Sequence, residues 1–226
     1  MDEIINSAGN LRYISGGQFS FPLVAIAMTG GGWTVGAQHN HNNEAWFVHS
    51  PGLKVVMPSN AADFKGLLKS AIRDDNPVIF FIDMPLMYQA GEVPAGEHTV
   101  PLGKAAIVRE GKDVTIISYA KVVHTCAQAA NTLAQIGVSA EVIDLRSLKP
   151  LDEKALVNSA RKTGRVLIVH GFTNSTFQIT YATAQALIRL TDGQALTAML
   201  TTNAYDYYSF NVIEGNLPVT FAVTAF

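Results

Sequence analysis

The sequence predicts an α/β fold in two parts, and three observations carry that prediction. Short runs of branched and aromatic apolar residues alternate with amphipathic stretches along the 226 residues. The strand-like runs are apolar without interruption, as strands of a parallel sheet covered on both faces are. A non-periodic, proline-punctuated stretch, Met84–Pro101, divides the chain. The implied limits are a first domain at 1–90, a linker at 91–102 and a second domain at 103–226.

The elements follow in order. Ile4, Ile5, Ala8 and Leu11 recur at helical spacing and open the chain with a helix. Phe21–Met28 reads as a buried strand, followed by the turn Gly30-Gly31-Gly32-Trp33. Leu53–Pro58 is a second strand. Ser59 fits a helix N-cap, and the helix 60–75 places Phe64, Leu67, Leu68 and Ile72 on one face. Pro77–Asp83 is a third strand. In the second part Asp113–Tyr119, Ala140–Leu145 and Arg165–His170 read as strands. Helices are expected over 122–135, 152–162 and 176–190, with a last strand near 197–202. The first part offers only about three strands, so an open sheet edge is expected, to be covered by another chain or by residues upstream of Met1.

Composition narrows the function classes. Only 15% of residues are charged and 48% are apolar, against about 25% charged in an average soluble domain. Part of the surface is therefore expected to lie against a partner. After Arg189 no Lys or Arg occurs, and the acidic residues are Asp192, Asp206 and Glu214, so the tail is expected at a subunit contact. The net charge of −2 leaves no basic excess to neutralise a phosphate backbone, which argues against nucleic acid as a partner. One cysteine, Cys126, excludes an internal disulfide framework and a cysteine-rich zinc site. Its helical neighbours make it a core thiol. No apolar run of ~18 residues predicts a membrane span, and the first residues lack the pattern of a signal peptide. An intracellular protein is expected.

The densest polar cluster is Gln38-His39-Asn40-His41-Asn42-Asn43-Glu44. It follows the first strand and the triple glycine, and loops after parallel strands are where α/β sites form. A solvated polar loop explains it equally well. His39 and His41 form an H-x-H pair, but no third or fourth metal ligand lies nearby. The triple glycine matches neither a dinucleotide fingerprint nor a P-loop. Arg73-Asp74-Asp75-Asn76 closes a helix before a proline and reads first as a helix stop. Asp144, Arg146 and Lys149 follow a strand and either pair structurally or face a ligand.

The run GGGWTVGAQHNHNNEAWFVHSPGLKVVMPSNAADFKGLLKSAIRDDNPVIFF, with GEVPAGEHTVPLGKAAIVREGKDVTIISYA and AEVIDLRSLKPLDEKAL, resembles the beta subunit of the thiamine-diphosphate-dependent decarboxylating component of 2-oxo acid dehydrogenase complexes. Pyruvate, branched-chain 2-oxo acid and acetoin dehydrogenases share this subunit. The resemblance covers about residues 1–170 well and the remainder faintly. It implies an incomplete pyrimidine-binding parallel-sheet domain followed by a transketolase C-terminal-type α/β domain. It implies oxidative decarboxylation of a 2-oxo acid with transfer of the acyl group to lipoyl. The implied partners are an alpha subunit that holds the diphosphate and magnesium, a second copy of this chain, and the lipoyl-bearing acyltransferase component. The implied compartment is a bacterial cytoplasm or a mitochondrial matrix.

By the same resemblance, His39 matches the active-site histidine of the GAQH motif. Leu23, Ala71, Asp74 and Asn76 match positions whose oxygens hold a potassium ion in some members. Three departures stand out. The family's catalytic glutamate belongs to about ninety residues that precede Met1 in relatives, so no cofactor-binding residue is assigned here. Ile26 replaces the usual arginine before the glycine-rich turn. The loop Gly171–Gln178 has lost most of the family's Glu- and Gly-rich pattern. These departures support an alternative, a degenerate non-catalytic paralogue acting as a structural or binding subunit of a larger assembly. On either reading the isolated chain is expected to be inactive.

Overall fold

The computed structural model describes residues 1–30, 37–171, 177–183 and 186–190. The expected strand near 197–202 and the charge-poor tail lie outside the described residues. The chain opens with a π-helical turn, Glu3–Ala8, and the short helix α1, Leu11–Ile14. The single helix expected from the spacing is thus broken at Gly9. A β-carbon at Gly9 would press on the Ile5 and Pro51 carbonyls, and one at Gly52 would collide with Gly9 itself. This close backbone contact needs glycine on both sides.

The first sheet has the order β1-β3-β2-β7, with β1 Val24–Thr29, β2 Lys54–Val56, β3 Val78–Asp83 and β7 Ser147–Lys149. β1, β3 and β2 run parallel, and β7 is antiparallel to β2. Side chains alternate along β2 and β3, so each face has its own core. Val56, Val78 and Phe80 pack with Leu67, Ala71 and Val100, where α3, Ala61–Ile72, covers the sheet. Val55, Ile79 and Phe81 pack with Phe47 of α2, Glu44–His49, and with Ala120 from the second half. Phe47 meets Phe81 edge-on at 5.7 Å, and Phe64 meets Phe80 at 5.1 Å.

The second sheet has the order β10-β9-β8-β5-β6-β4. Its strands are β4 Ala106–Arg109, β5 Val114–Ser118, β6 Ala140–Asp144, β8 Arg165–Gly171, β9 Phe177–Thr183 and β10 Ala186–Leu190. β8, β5 and β6 are parallel, while β4, β9 and β10 pair antiparallel. Helix α4, Val122–Gln135, buries Val122, Val123, Cys126 and Ala130 against Ile116, Val142 and Val169. Helix α5, Glu153–Thr163, joins the other face through hydroxyls. Thr115 Oγ1 lies 2.6 Å from Ser159 Oγ and 2.8 Å from Thr163 Oγ1.

Five expectations are corrected. Both sheets are mixed rather than wholly parallel. Among the described residues β1 is an edge strand, not a buried one: Ile26 is 58% and Met28 53% exposed. Asn60, not Ser59, caps α3, accepting from the Asp63 backbone N–H at 2.8 Å. Ile72 points outward, and Ala71 takes its place in the core. In place of the helix expected over 176–190, the described residues form β9 and β10, paired antiparallel. Only five residues separate β8 from β9, too few for a parallel crossover. Phe177, Ile179 and Tyr181 also alternate with Gln178 and Thr180, a period of two. β4 and β7 are too short to stand out in the sequence.

Candidate functional site

Carboxyl ends of strands from both sheets meet in one place. Thr29 ends β1 and Asp83 ends β3. Met57 follows β2, Tyr119 and Ala120 follow β5, and Gly171 ends β8. Together with Asn42, Glu44, Lys121 and Val122, these residues line a cavity of about 20 Å³. That is room for one water-sized species.

The loop after β1 builds one wall. Gly30 lets it fold back, because a β-carbon there would collide with the His39 carbonyl. Residues 37–39 form a 3₁₀ turn, and His39 and His41 are both exposed. Asn42 Nδ2 then donates to the Gly171 carbonyl at 3.1 Å, tying this loop to the second sheet. Glu44 opens α2 and turns inward. Tyr119 Oη donates to its Oε1 at 3.0 Å. Asp83 accepts the Lys121 backbone N–H at 3.2 Å on Oδ2.

Burial dominates the electrostatics here. Glu44 is 6% and Asp83 5% exposed. Desolvation raises the Glu44 carboxyl against the opposing pull of hydrogen bonds. It pushes Asp83 up to about 6. Burial and the two carboxylates raise the Tyr119 phenol well above its usual range. Glu44 Oε2, Asp83 Oδ1 and Asn42 Oδ1 are buried without a hydrogen-bond partner.

The strand-end residues Asp144, Arg146 and Lys149 form a second cluster, which is structural. Ser59 Oγ donates to Asp144 Oδ2 at 2.5 Å, and the Arg146 backbone N–H donates to Oδ1 at 3.0 Å. Arg146 Nη1 pairs with Asp63 at 2.9 Å, while its other nitrogens donate to the Lys104 and Ala105 carbonyls. Lys149 Nζ donates to the Val48 and Ser50 carbonyls. Cys126 is a buried core thiol, as its helical spacing predicts, pushed up to about 12 by desolvation.

The residues matched to a potassium site lie where α3 gives way to β3 and where β1 begins. Here each has a donor of its own. Leu23 O accepts from Val78 N at 2.8 Å, and Ala71 O from Asp74 N at 3.2 Å. Asn76 Oδ1 accepts from Arg12 at 3.1 Å. Lys54 pairs with Asp74, to which Asn76 also donates. Burial raises the Asp74 carboxyl, but these bonds outweigh it and leave it below its usual range. The oxygens are of the kind a hard cation takes, yet the Lys54 ammonium already supplies a positive charge there.

His39, the candidate from the sequence, therefore stands exposed on the loop that leads to Glu44, while Glu44, Asp83 and Tyr119 form the buried centre. The signal for that centre was a polar residue at the carboxyl end of an apolar strand. Asp83 after VIFFI and Tyr119 after VTIIS both have it.

Residues 3–88 match the transketolase pyrimidine-binding domain, and residues 103–176 match the transketolase C-terminal domain. The chain is 48% identical over 168 residues to the beta subunit of acetoin:2,6-dichlorophenolindophenol oxidoreductase of Cupriavidus necator, covering 74% of this chain and 50% of that one. It is 42% identical over 212 residues to the mitochondrial pyruvate dehydrogenase E1 component subunit beta of Dictyostelium discoideum, covering 92% and 55%. It thus spans about half the length of these curated relatives. Among solved structures, a split-gene transketolase described as an inactive beta4 tetramer superposes with a TM-score of 0.57 at 29% identity, covering 74% of this chain and 54% of that one. Two matched domains and relatives of this kind establish that the chain belongs to the family of beta subunits of the decarboxylating component of 2-oxo acid dehydrogenase complexes.

Proposed function

We propose that this chain serves the oxidative decarboxylation of a 2-oxo acid, with transfer of the acyl group to lipoyl, as the beta part of an assembly with an alpha subunit. The observation that supports this most directly is His39. It is exposed, held at the carboxyl end of β1 by the Gly30 close approach, and carried by a loop fastened to the second sheet. An exposed imidazole in such a place can give or take a proton at a bound substrate.

Thiamine diphosphate would supply the electron sink. A cavity of about 20 Å³ is far too small to enclose that cofactor, so the residues that line it would form one wall of its site. The diphosphate, with magnesium, is assigned to the alpha subunit. A second copy of this chain and the lipoyl-bearing acyltransferase complete the proposed partners. The proposed compartment is the bacterial cytoplasm or the mitochondrial matrix. Among the described residues no helix is long and apolar enough to cross a membrane.

The test is reconstitution with a bacterial alpha subunit, thiamine diphosphate, magnesium and a lipoyl acceptor, followed by CO2 release from pyruvate and branched 2-oxo acids. His39→Ala is expected to lower the rate by ~10²-fold or more, the scale of a positioned acid–base group, and His41→Ala much less. Equal, full rates for both variants would remove His39 from the chemistry. The chain without a partner is expected to release no CO2.

A second reading, a non-catalytic structural or binding subunit, draws on Ile26, which stands 58% exposed where the family carries arginine. The similar split-gene transketolase is itself described as an inactive beta4 tetramer. An inactive reconstituted complex, with the alpha subunit bound, would favour this reading.

A further inference from the structure

We propose that the cavity between the two sheets binds one monovalent cation, held by Glu44 Oε2, Asp83 Oδ1 and Asn42 Oδ1. This goes beyond the catalytic reading and does not depend on it. Three buried oxygens on three side chains lining the same small cavity lack any hydrogen-bond donor. Glu44 and Asp83 are each more than nine-tenths buried. Such groups are expensive to leave unmatched.

Three donors beside these oxygens are already used. Tyr119 Oη goes to Glu44 Oε1, the Lys121 backbone N–H to Asp83 Oδ2, and the Asn42 amide to Gly171. A water could donate only two hydrogens to three acceptors. Two carboxylates, those of Glu44 and Asp83, line the same cavity. The available space suits one ion without its hydration shell. The three atoms are all oxygen, and no cysteine or histidine is among the described residues that line the cavity. No cluster of three or more His, Cys, Asp or Glu suited to a metal ion occurs among the described residues. An alkali or ammonium ion fits this set better than a transition metal. The ion would join the loop after β1, the end of β3 and, through Tyr119 and Lys121, the second sheet.

The test is thermal unfolding of the full chain at pH 8 and constant ionic strength. Choline, too large for the cavity, is replaced stepwise by sodium, potassium or ammonium. The expected result is a saturable rise in Tm of about 5 °C with at least one small cation, lost in both Glu44→Gln and Asp83→Asn. Line broadening of ²³Na on the wild-type chain, reversed by potassium, is the parallel readout and decides the matter if a variant fails to fold. Three results would overturn the proposal. The first is the same Tm in choline and in every alkali salt, with no broadening. The second is a cation response retained by both variants. The third is a wild-type chain whose stability rises from pH 8 to pH 5 without regard to cation, because a shared proton would then fill the role.

Discussion

Asp144 is completely buried, and its environment is divided against it. Desolvation and the neighbouring Asp63 raise its carboxyl to about 6, while Ser59, the Arg146 backbone and the Arg146 charge pull it down. Its folded pKa thus lies above the unfolded value of about 4. The folded state holds the extra proton between these values, so the stability it contributes is complete below about pH 4 and lost as pH rises through 6. The ionised form therefore costs roughly 2–3 kcal/mol at neutral pH. Asp144→Asn is expected to be more stable than wild type at pH 8 and to equal it or fall below it at pH 4. Urea midpoints across that range check the sign. Arg146 works in the opposite sense. It holds φ at +54° and neutralises Asp63, so Arg146→Ala is expected to cost about 3 kcal/mol by leaving a buried charge unpaired. Denaturation at pH 7 measures it.

At the scale of elements, α3 is the clearest case. Ser59 and Asn60 are both good caps by residue type. Asn60 has extended backbone and its side chain reaches the Asp63 N–H, while Ser59 turns to Asp144. Asn60→Ala is expected to destabilise by about 1 kcal/mol in urea unfolding, with little effect on the pH profile. Ser59→Ala is expected to change that profile instead, because it removes a bond to the Asp144 carboxylate. Helix α5 shows the same logic at both ends. Asp152 accepts from the Ala155 N–H, and Gly164 closes the helix at φ +68°.

At the scale of the molecule, the two matched domains are fastened together. β7 comes from the second and adds to the first sheet beside β2. Lys149, Arg146 and Tyr119 reach from the second half into the first. A single cooperative unfolding transition is expected by calorimetry and by circular dichroism. Two separated transitions would mean that these contacts are weak. Among the described residues no strand pairs with the outer side of β1, and Ile26 and Met28 are exposed. Open apolar edges associate, so light scattering at micromolar concentration is expected to give a mass above 24.3 kDa.

The sequence by itself determined the α/β class, most of the strands, α4, the core thiol and the loop that bears His39. Each of these is a local pattern of apolar period or polar density. Tertiary structure alone decided the rest. Which strand lies at an edge depends on what pairs with it, and Phe21–Met28 carries no mark of that. The assignment of β7 to the first sheet, and the antiparallel pairing of β9 with β10, depend on connection length and partners rather than helical spacing. The pairing of Glu44 with Asp83 joins residues 39 positions apart in sequence. Only the meeting of strand ends from two sheets places both carboxylates against one cavity, and burial there, not residue type, sets their charge.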